Sequence, residues 1–301
     1  MKRVAWILLT AALCAGSTLA QQQPSRDDAT GRKLGIAGVY HNGRIMIRWG
    51  TGNPTVWRLI KESGITLEKY DADGASEVVG GGPLRVYSDD RWQAMADTFP
   101  TAAQIVTLLR DDPSQTQGLS DLARNDIEQN KLTGLLLITE FSFSAAQGLA
   151  MAYLDENIES DKIYRYRVLL RDPYVGDTLS AECFIDTEQE IPVPPVTGLR
   201  SAAFDSYVAL SWRRSLGHAG YHVEKRSAGS STWFRATQHP ILFPAQYTEE
   251  YLYRDSIPNY DMMEYRVYAF DGFQRRSEPT AVVKTYARDR TPPEPPFDII
   301  G

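Results

Sequence analysis

Apolar and polar residues alternate most cleanly along Tyr164-Arg165-Tyr166-Arg167-Val168-Leu169-Leu170, the period of a strand with one face in a core and one toward water. The pattern returns in degenerate form as Met263-Glu264-Tyr265-Arg266-Val267-Tyr268-Ala269. Asp155 stands nine residues before Tyr164 and Asp255 eight before Met263, each behind a Tyr-rich, strand-like run. The chain therefore repeats. Around the first copy, Leu34 to Tyr40 and Arg44 to Trp49 read as strands joined by His41-Asn42-Gly43-Arg44, since Asn-Gly is the strongest short hairpin signal. Gly64 to Tyr70 reads as the third strand. Between Trp49 and that strand, Asn53 and Pro54 open a short helix with apolar residues at 56, 57, 59 and 60. Trp57 is expected to plug the core from this helix rather than serve as a stacking platform.

Residues 88–148 change period. Asp89 or Asp90 caps a predicted helix from Arg91 that carries Trp92, Met95 and Ala96. Pro100 interrupts it, Thr101 to Leu109 resumes, and Asp112-Pro113 marks a loop. Ser120 to Glu128 reads as a weaker helix, and Lys131 to Gln147 as the strongest, with Gly148 as its stop. Ile105, Leu108, Leu109, Leu135, Ile138 and Phe141 form an apolar stripe too costly to leave in water, at roughly 2 kcal/mol each. These side chains are expected to pack among themselves and against the first set of strands. The outward face, with Arg91, Gln93, Arg110 and Gln129, is the candidate recognition surface, because long inserts in compact domains are often functional.

The second copy is plainer. Val196 to Arg200, Tyr207 to Trp212, Gly220 to Arg226, Thr232 to Arg235, Tyr251 to Asp255, Met263 to Phe270 and Ala281 to Tyr286 give seven short strands. Both copies place a Trp at the end of the second strand and a Tyr-rich segment behind an Asp-bearing turn. In this they resemble fibronectin type III domains, whose penultimate strand reads Tyr-x-aromatic-x-Val-x-Ala. The resemblance implies a mainly β chain of two tandem immunoglobulin-like sandwiches, the first with an α-helical insert. The long middle insert resembles the divergent modules of large exported bacterial proteins. Neither likeness brings a catalytic motif. Tyr164 fits the family's corner tyrosine, which ties the penultimate strand to the loop before it. In the second copy Met263 is aligned there, so either Tyr265 takes the role in a shifted register or the tether is missing.

The domain layout follows. Residues 1–20 read as a signal peptide, with Lys2 and Arg3, an apolar run from Val4 to Ala15, and small residues Thr18 and Ala20 before the cut. Cys14 follows Leu13 where a lipoprotein site wants a small residue. A polar tail covers 21–33, the first sandwich 34–189 and the second 193–287. Glu190 to Val196 is a proline-rich linker, and Arg290 to Pro296 repeats it, with Pro295 lying 101 residues after Pro194. Residues 288–301 read as that linker and the start of a further module.

Composition narrows the function. Of 301 residues, 43% are apolar, enough to build two cores, so the chain is globular. The formal charge of -6 becomes -8 once a leader with two cations and no acid is removed, which disfavours nonspecific nucleic acid or anionic membrane binding. After cleavage Cys183 stands alone, so no intrachain disulfide forms, and its place in an alternating run makes it a buried hydrophobe. Asp71-Ala72-Asp73-Gly74 lacks the remaining acids of a calcium loop and reads as a turn. His218 and His222 fall in a loop and a strand, where an i, i+4 pair does not converge on a metal. No nucleophile elbow, P-loop or zincin motif is present, so no catalytic residue, cofactor or metal ligand is assigned. The expectation is a noncatalytic exported scaffold or recognition protein for a protein or glycan partner, periplasmic, cell-surface or secreted, made of monomeric modules. The alternative is the accessory region of a larger exported enzyme, such as a polysaccharide hydrolase with its catalytic domain beyond Gly301.

Overall fold

The structure, a computed structural model, describes residues 32–97, 99–110, 117–174, 176–215, 217–242 and 250–289. The leader, nearly all of the polar tail, the Asp112-Pro113 loop and the second proline-rich linker lie outside the described residues. The chain divides into two compact units, one running to Pro192 together with Asp271–Arg275, the other holding Val193–Phe270 and Arg276 onward.

In the first unit, β1 (Gly35–His41) and β2 (Arg44–Gly50) form a hairpin, and β5 (Ala152–Asp155) joins β2 on its other side. The turn works because Asn42 and Gly43 both adopt positive φ, 51° and 74°, the twist a two-residue hairpin loop needs. The facing sheet runs β4 (Ser76–Val78), β3 (Thr66–Tyr70), β6 (Ile163–Arg171), β7 (Thr178–Asp186), all antiparallel. Strands one, two and five thus face strands four, three, six and seven. Inward positions alternate as read from the sequence: Tyr164, Tyr166, Val168 and Leu170 are buried on β6, and Leu179, Ala181, Cys183 and Ile185 on β7. Cys183 is a packed hydrophobe, its thiol pushed up to about 12 by burial.

The second unit repeats the order. β8 (Arg200–Phe204), β9 (Tyr207–Arg213) and β12 (Glu250–Ser256) make the three-stranded sheet, with β9 in the middle. β11 (Phe234–Arg235), β10 (Gly220–Ser227), β13 (Met263–Phe270) and β14 (Val283–Thr285) make the four-stranded one. Each unit is an immunoglobulin-like sandwich of the fibronectin type III kind, and each buries the Trp of its second strand, Trp49 and Trp212. Several strands start later than the sequence suggests: β3 at Thr66 rather than Gly64, β11 at Phe234 rather than Thr232, β14 at Val283 rather than Ala281, and β8 at Arg200 rather than Val196. Pro194 and Pro195 have no N–H to give a ladder, so Val193 and Val196 bury their side chains from extended backbone instead.

Among the described residues, five α-helices belong to the first unit. α1 (Pro54–Ser63) is capped by Asn53, whose side chain accepts from the Thr55 and Val56 N–H groups, and it buries Val56, Trp57, Leu59 and Ile60. Trp57, at 3% exposure, is the core plug expected. In the insert, α2 (Asp89–Ala94) is capped by the Ser88 hydroxyl rather than by Asp89 or Asp90, which sit in its first turn and favour it through the helix dipole. α3 (Ala102–Leu109) follows. The two helices expected over 120–147 are divided elsewhere: α4 runs unbroken through Asp121–Phe141, and α5 (Phe143–Gly148) begins after Ser142, whose hydroxyl caps it. Gly148 is not a left-handed stop. A Cβ there would meet the Trp92 ring at 2.3 Å, so its lack of a side chain is what lets Trp92 pack.

The insert and sandwich share one core. Trp92, Ile105, Leu132 and Leu135, all without exposure, fall in the same apolar cluster as Ile45, Trp49, Ile60 and Val168, with Leu108, Leu109 and Ile138 packed on its edge. Phe141 is half-buried. A polar link runs alongside: Arg48 on β2 donates through Nη2 to the Thr139 hydroxyl at 3.0 Å and to Glu140 Oε1 at 3.1 Å. Burial pushes the Glu140 carboxyl up, against the pull of Arg48.

Candidate recognition site

The four residues singled out from the sequence sit on three helices of the insert. Arg91 and Gln93 are exposed on α2, and the Arg91 guanidinium lies 3.4 Å from the centre of the Tyr87 ring. Arg110 is exposed just past α3, with Nε 3.9 Å from Asp89 Oδ2. Its carbonyl accepts from Lys131 Nζ on α4 at 2.9 Å. Arg110 therefore ties the start of α2 and the end of α3 to the middle of α4. Gln129, two residues before Lys131 on α4, is half-buried, and its carbonyl accepts from the Thr133 hydroxyl at 2.7 Å. The arrangement presents cations and amides from helices whose opposite sides are locked in the core. Leu122 and Leu137 on α4 add apolar exposure, at 69% and 39%. Such a surface suits binding. It places no base beside a nucleophile.

The interior holds a polar site that sequence reasoning missed, and holds it twice. Lys69 on β3 lies opposite Tyr166 on β6, and Lys225 on β10 opposite Tyr265 on β13. The carboxylate ending the fifth strand reaches both. Asp155 Oδ2 accepts from the Tyr166 hydroxyl at 2.6 Å and lies 3.0 Å from Lys69 Nζ. Asp255 Oδ2 accepts from the Tyr265 hydroxyl at 2.7 Å and from Lys225 Nζ at 2.8 Å. Burial, then the bond to the carboxylate, raises both tyrosine hydroxyls well above their ordinary range. The signal in the sequence was an Asp 11 residues before Tyr166 and 10 before Tyr265; the lysines read as surface charge. The corner tyrosine is settled here too. Tyr164 accepts from the Glu159 N–H at 2.8 Å, the expected tether. Tyr265 is the counterpart of Tyr166, so it does not replace that tether, and half-buried Met263 stands where Tyr164 does.

These groups link strands of the two sheets in each unit. Lys69 also donates to the Asn157 carbonyl and lies 3.6 Å from Glu77 Oε1, an ion-pair distance rather than a hydrogen bond. It forms the inner wall of a depression of about 360 Å³ lined by Asp71, Asp73, Glu77, Glu159 and Lys162. Asp71 uses Oδ1 to accept from the Asp73 and Ala75 N–H groups, a plain turn. Among the described residues there is no group of three or more His, Cys, Asp or Glu that would hold a metal ion. His218 bonds the Tyr221 hydroxyl at 3.1 Å and the Pro194 carbonyl at 2.7 Å, and His222 bonds the Thr237 hydroxyl at 2.9 Å. Among the described residues no helix is long and apolar enough to cross a membrane.

No family model and no curated protein matches the chain. Among solved structures it is similar to the chicken CNTN1 FN1–FN3 domains, at 11% identity over 84% of this chain and 66% of that one, with a TM-score of 0.30. It is similar to the fn3 domain of human collagen alpha-1(XX), at 20% identity over 36% of this chain and 98% of that one, TM-score 0.26. It is also similar to the chicken interferon gamma receptor alpha chain, at 9% identity over 88% of this chain and 99% of that one, TM-score 0.27. Likeness of this degree carries nothing about function, and the fold assignment rests on the strand order of the two units.

Proposed function

We propose that the protein is a noncatalytic exported scaffold or recognition protein, built from tandem fibronectin type III modules and acting at the cell surface in adhesion. The observation that carries this is the insert: its apolar sides are continuous with the sandwich core while Arg91, Gln93 and Arg110 face outward from rigid helices. Rigid display lowers the ordering cost of binding. The paired interior groups support the noncatalytic part of the reading, since Asp155, Tyr166 and Lys69, and Asp255, Tyr265 and Lys225, are engaged with one another.

Purified protein is expected to show no hydrolysis on glycan, peptide and ester panels, and no stoichiometric transition metal by elemental analysis. Turnover that survives purification and disappears when one acidic residue is replaced by its amide would overturn the proposal.

A further inference from the structure

Opposite charges are paired across the outer face of the second unit's four-stranded sheet. Register places Glu224 beside Arg266 and Arg226 beside Glu264, and the pairs close at 2.6 Å each. Each carboxylate then takes a second cation: Arg276 reaches Glu224 at 3.1 Å, and Lys284 reaches Glu264 at 2.8 Å. The carboxylate side chains are 13% and 5% exposed, whereas Arg226, Arg266, Arg276 and Lys284 are 25%, 26%, 45% and 67% exposed. So the acids lie beneath and the cations outside, two to each acid. Arg235, exposed and opposite Glu224 in the register, adds a fifth.

The cations are also braced. Trp233 carries the Arg226 and Arg266 guanidiniums 4.4 and 4.2 Å from its ring centre, and Arg276 lies 3.4 Å from the centre of the Tyr268 ring. Beneath them His222 is kept neutral, its pKa lowered to about 4 by burial and by the charges of Arg235 and Arg276, with Glu224 opposing.

We infer that this face binds an acidic polysaccharide through its carboxylates. Arg226 and Arg266 bond their glutamates through Nε, which leaves the paired Nη groups of each fork for a second carboxylate. The surplus of cations over acids supplies the charge complement, and the braced side chains lose little freedom on binding. A flat sheet face suits an extended chain. Nucleic acid fits less well: the Trp233 ring already stacks with two guanidiniums, and the protein as a whole is anionic.

The inference rests on the recognition reading and names a partner class for it. The test is calorimetric titration of the full chain with polygalacturonate, with dextran as the neutral control and a dT oligonucleotide as the rival polyanion. Polygalacturonate is expected to bind, weakening as salt rises from about 50 to about 300 mM, as screened charge pairs do. Dextran is expected not to bind. The double variant Arg276→Gln/Lys284→Gln, which leaves each glutamate its strand partner and keeps the wild-type melting curve, is expected to bind on the order of tenfold more weakly. Absence of polygalacturonate binding at low salt, equal binding by the double variant, or tighter binding of the oligonucleotide would each overturn the inference. The recognition reading itself stands or falls separately, on whether the chain binds cells through the insert face.

Discussion

Replacing residues 88–148 with a short Gly-Ser turn is expected to unfold the first unit while the second stays folded. The reason is the shared core. Trp92, Ile105, Leu132 and Leu135 are fully buried, and each contributes about 1.5–3 kcal/mol by leaving water. Their removal also uncovers the sandwich residues they pack with and strands Arg48 without Thr139 and Glu140. Together these losses match or exceed the roughly 5–15 kcal/mol that holds an ordinary domain together. Circular dichroism and calorimetry of the shortened chain should show a single remaining β-sheet transition. Two transitions with an unshifted first midpoint would mean that the insert merely decorates the sandwich.

The second large effect lies at the repeated interior site. Asp155→Ala leaves Lys69 buried and without its carboxylate, and truncating one partner of such a pair costs about 3–5 kcal/mol. Asp255→Ala should act in the same direction and less strongly in the other unit, because Lys225 keeps 28% of its side chain in water. At about 2–4 °C per kcal/mol for a unit of the first one's size, its transition falls by roughly 10 °C. Two further variants separate charge from packing. Tyr166→Phe removes one hydrogen bond, worth about 1 kcal/mol, and leaves the ion pair intact. Lys69→Met/Asp155→Leu removes both charges and should recover much of the loss, because a buried pair replaced by apolar groups is often neutral. Equal destabilisation by the single and double changes would show that the site's value is not electrostatic.

Strand period made the sandwiches legible, because one buried face fixes register and a slip of one residue turns every apolar side chain outward. The Tyr164 and Met263 runs, the Asn42-Gly43 turn and the two core tryptophans all follow from that. The helices were legible in kind and less so at their ends. Ser88, Asp89 and Asp90 are all competent caps, and only backbone geometry chooses among them. In α4 the first half is polar nearly all round, so an apolar stripe marks only the part from Leu132 onward, while the helix itself continues because nothing before Phe141 breaks it. Gly148 looked like a stop because glycine usually is one. Its real constraint is Trp92, 56 residues earlier, which no local pattern reveals.

The candidate sites were harder to read for the same reason. Lys69, Asp155 and Tyr166 come together only once β3, β5 and β6 are in register across two sheets. The lattice on the second unit needs strands β10, β13 and β14 paired before Glu224 and Glu264 can be seen to lie under their cations. Charge in the sequence reads as solvated surface, which is the usual truth, and only burial distinguishes the exceptions.

If the insert face is what this protein uses to recognise its partner, the labelled full chain should bind intact cells of the producing organism through it. The comparison is with Arg91→Glu/Arg110→Glu, two exposed positions whose change leaves the core untouched. Saturable binding is expected for the wild type and a loss on the order of tenfold or more for the variant, with both melting transitions unshifted, because a few exposed anchors dominate recognition surfaces. Undiminished binding by a folded variant, or no saturable binding by the wild type, would contradict it.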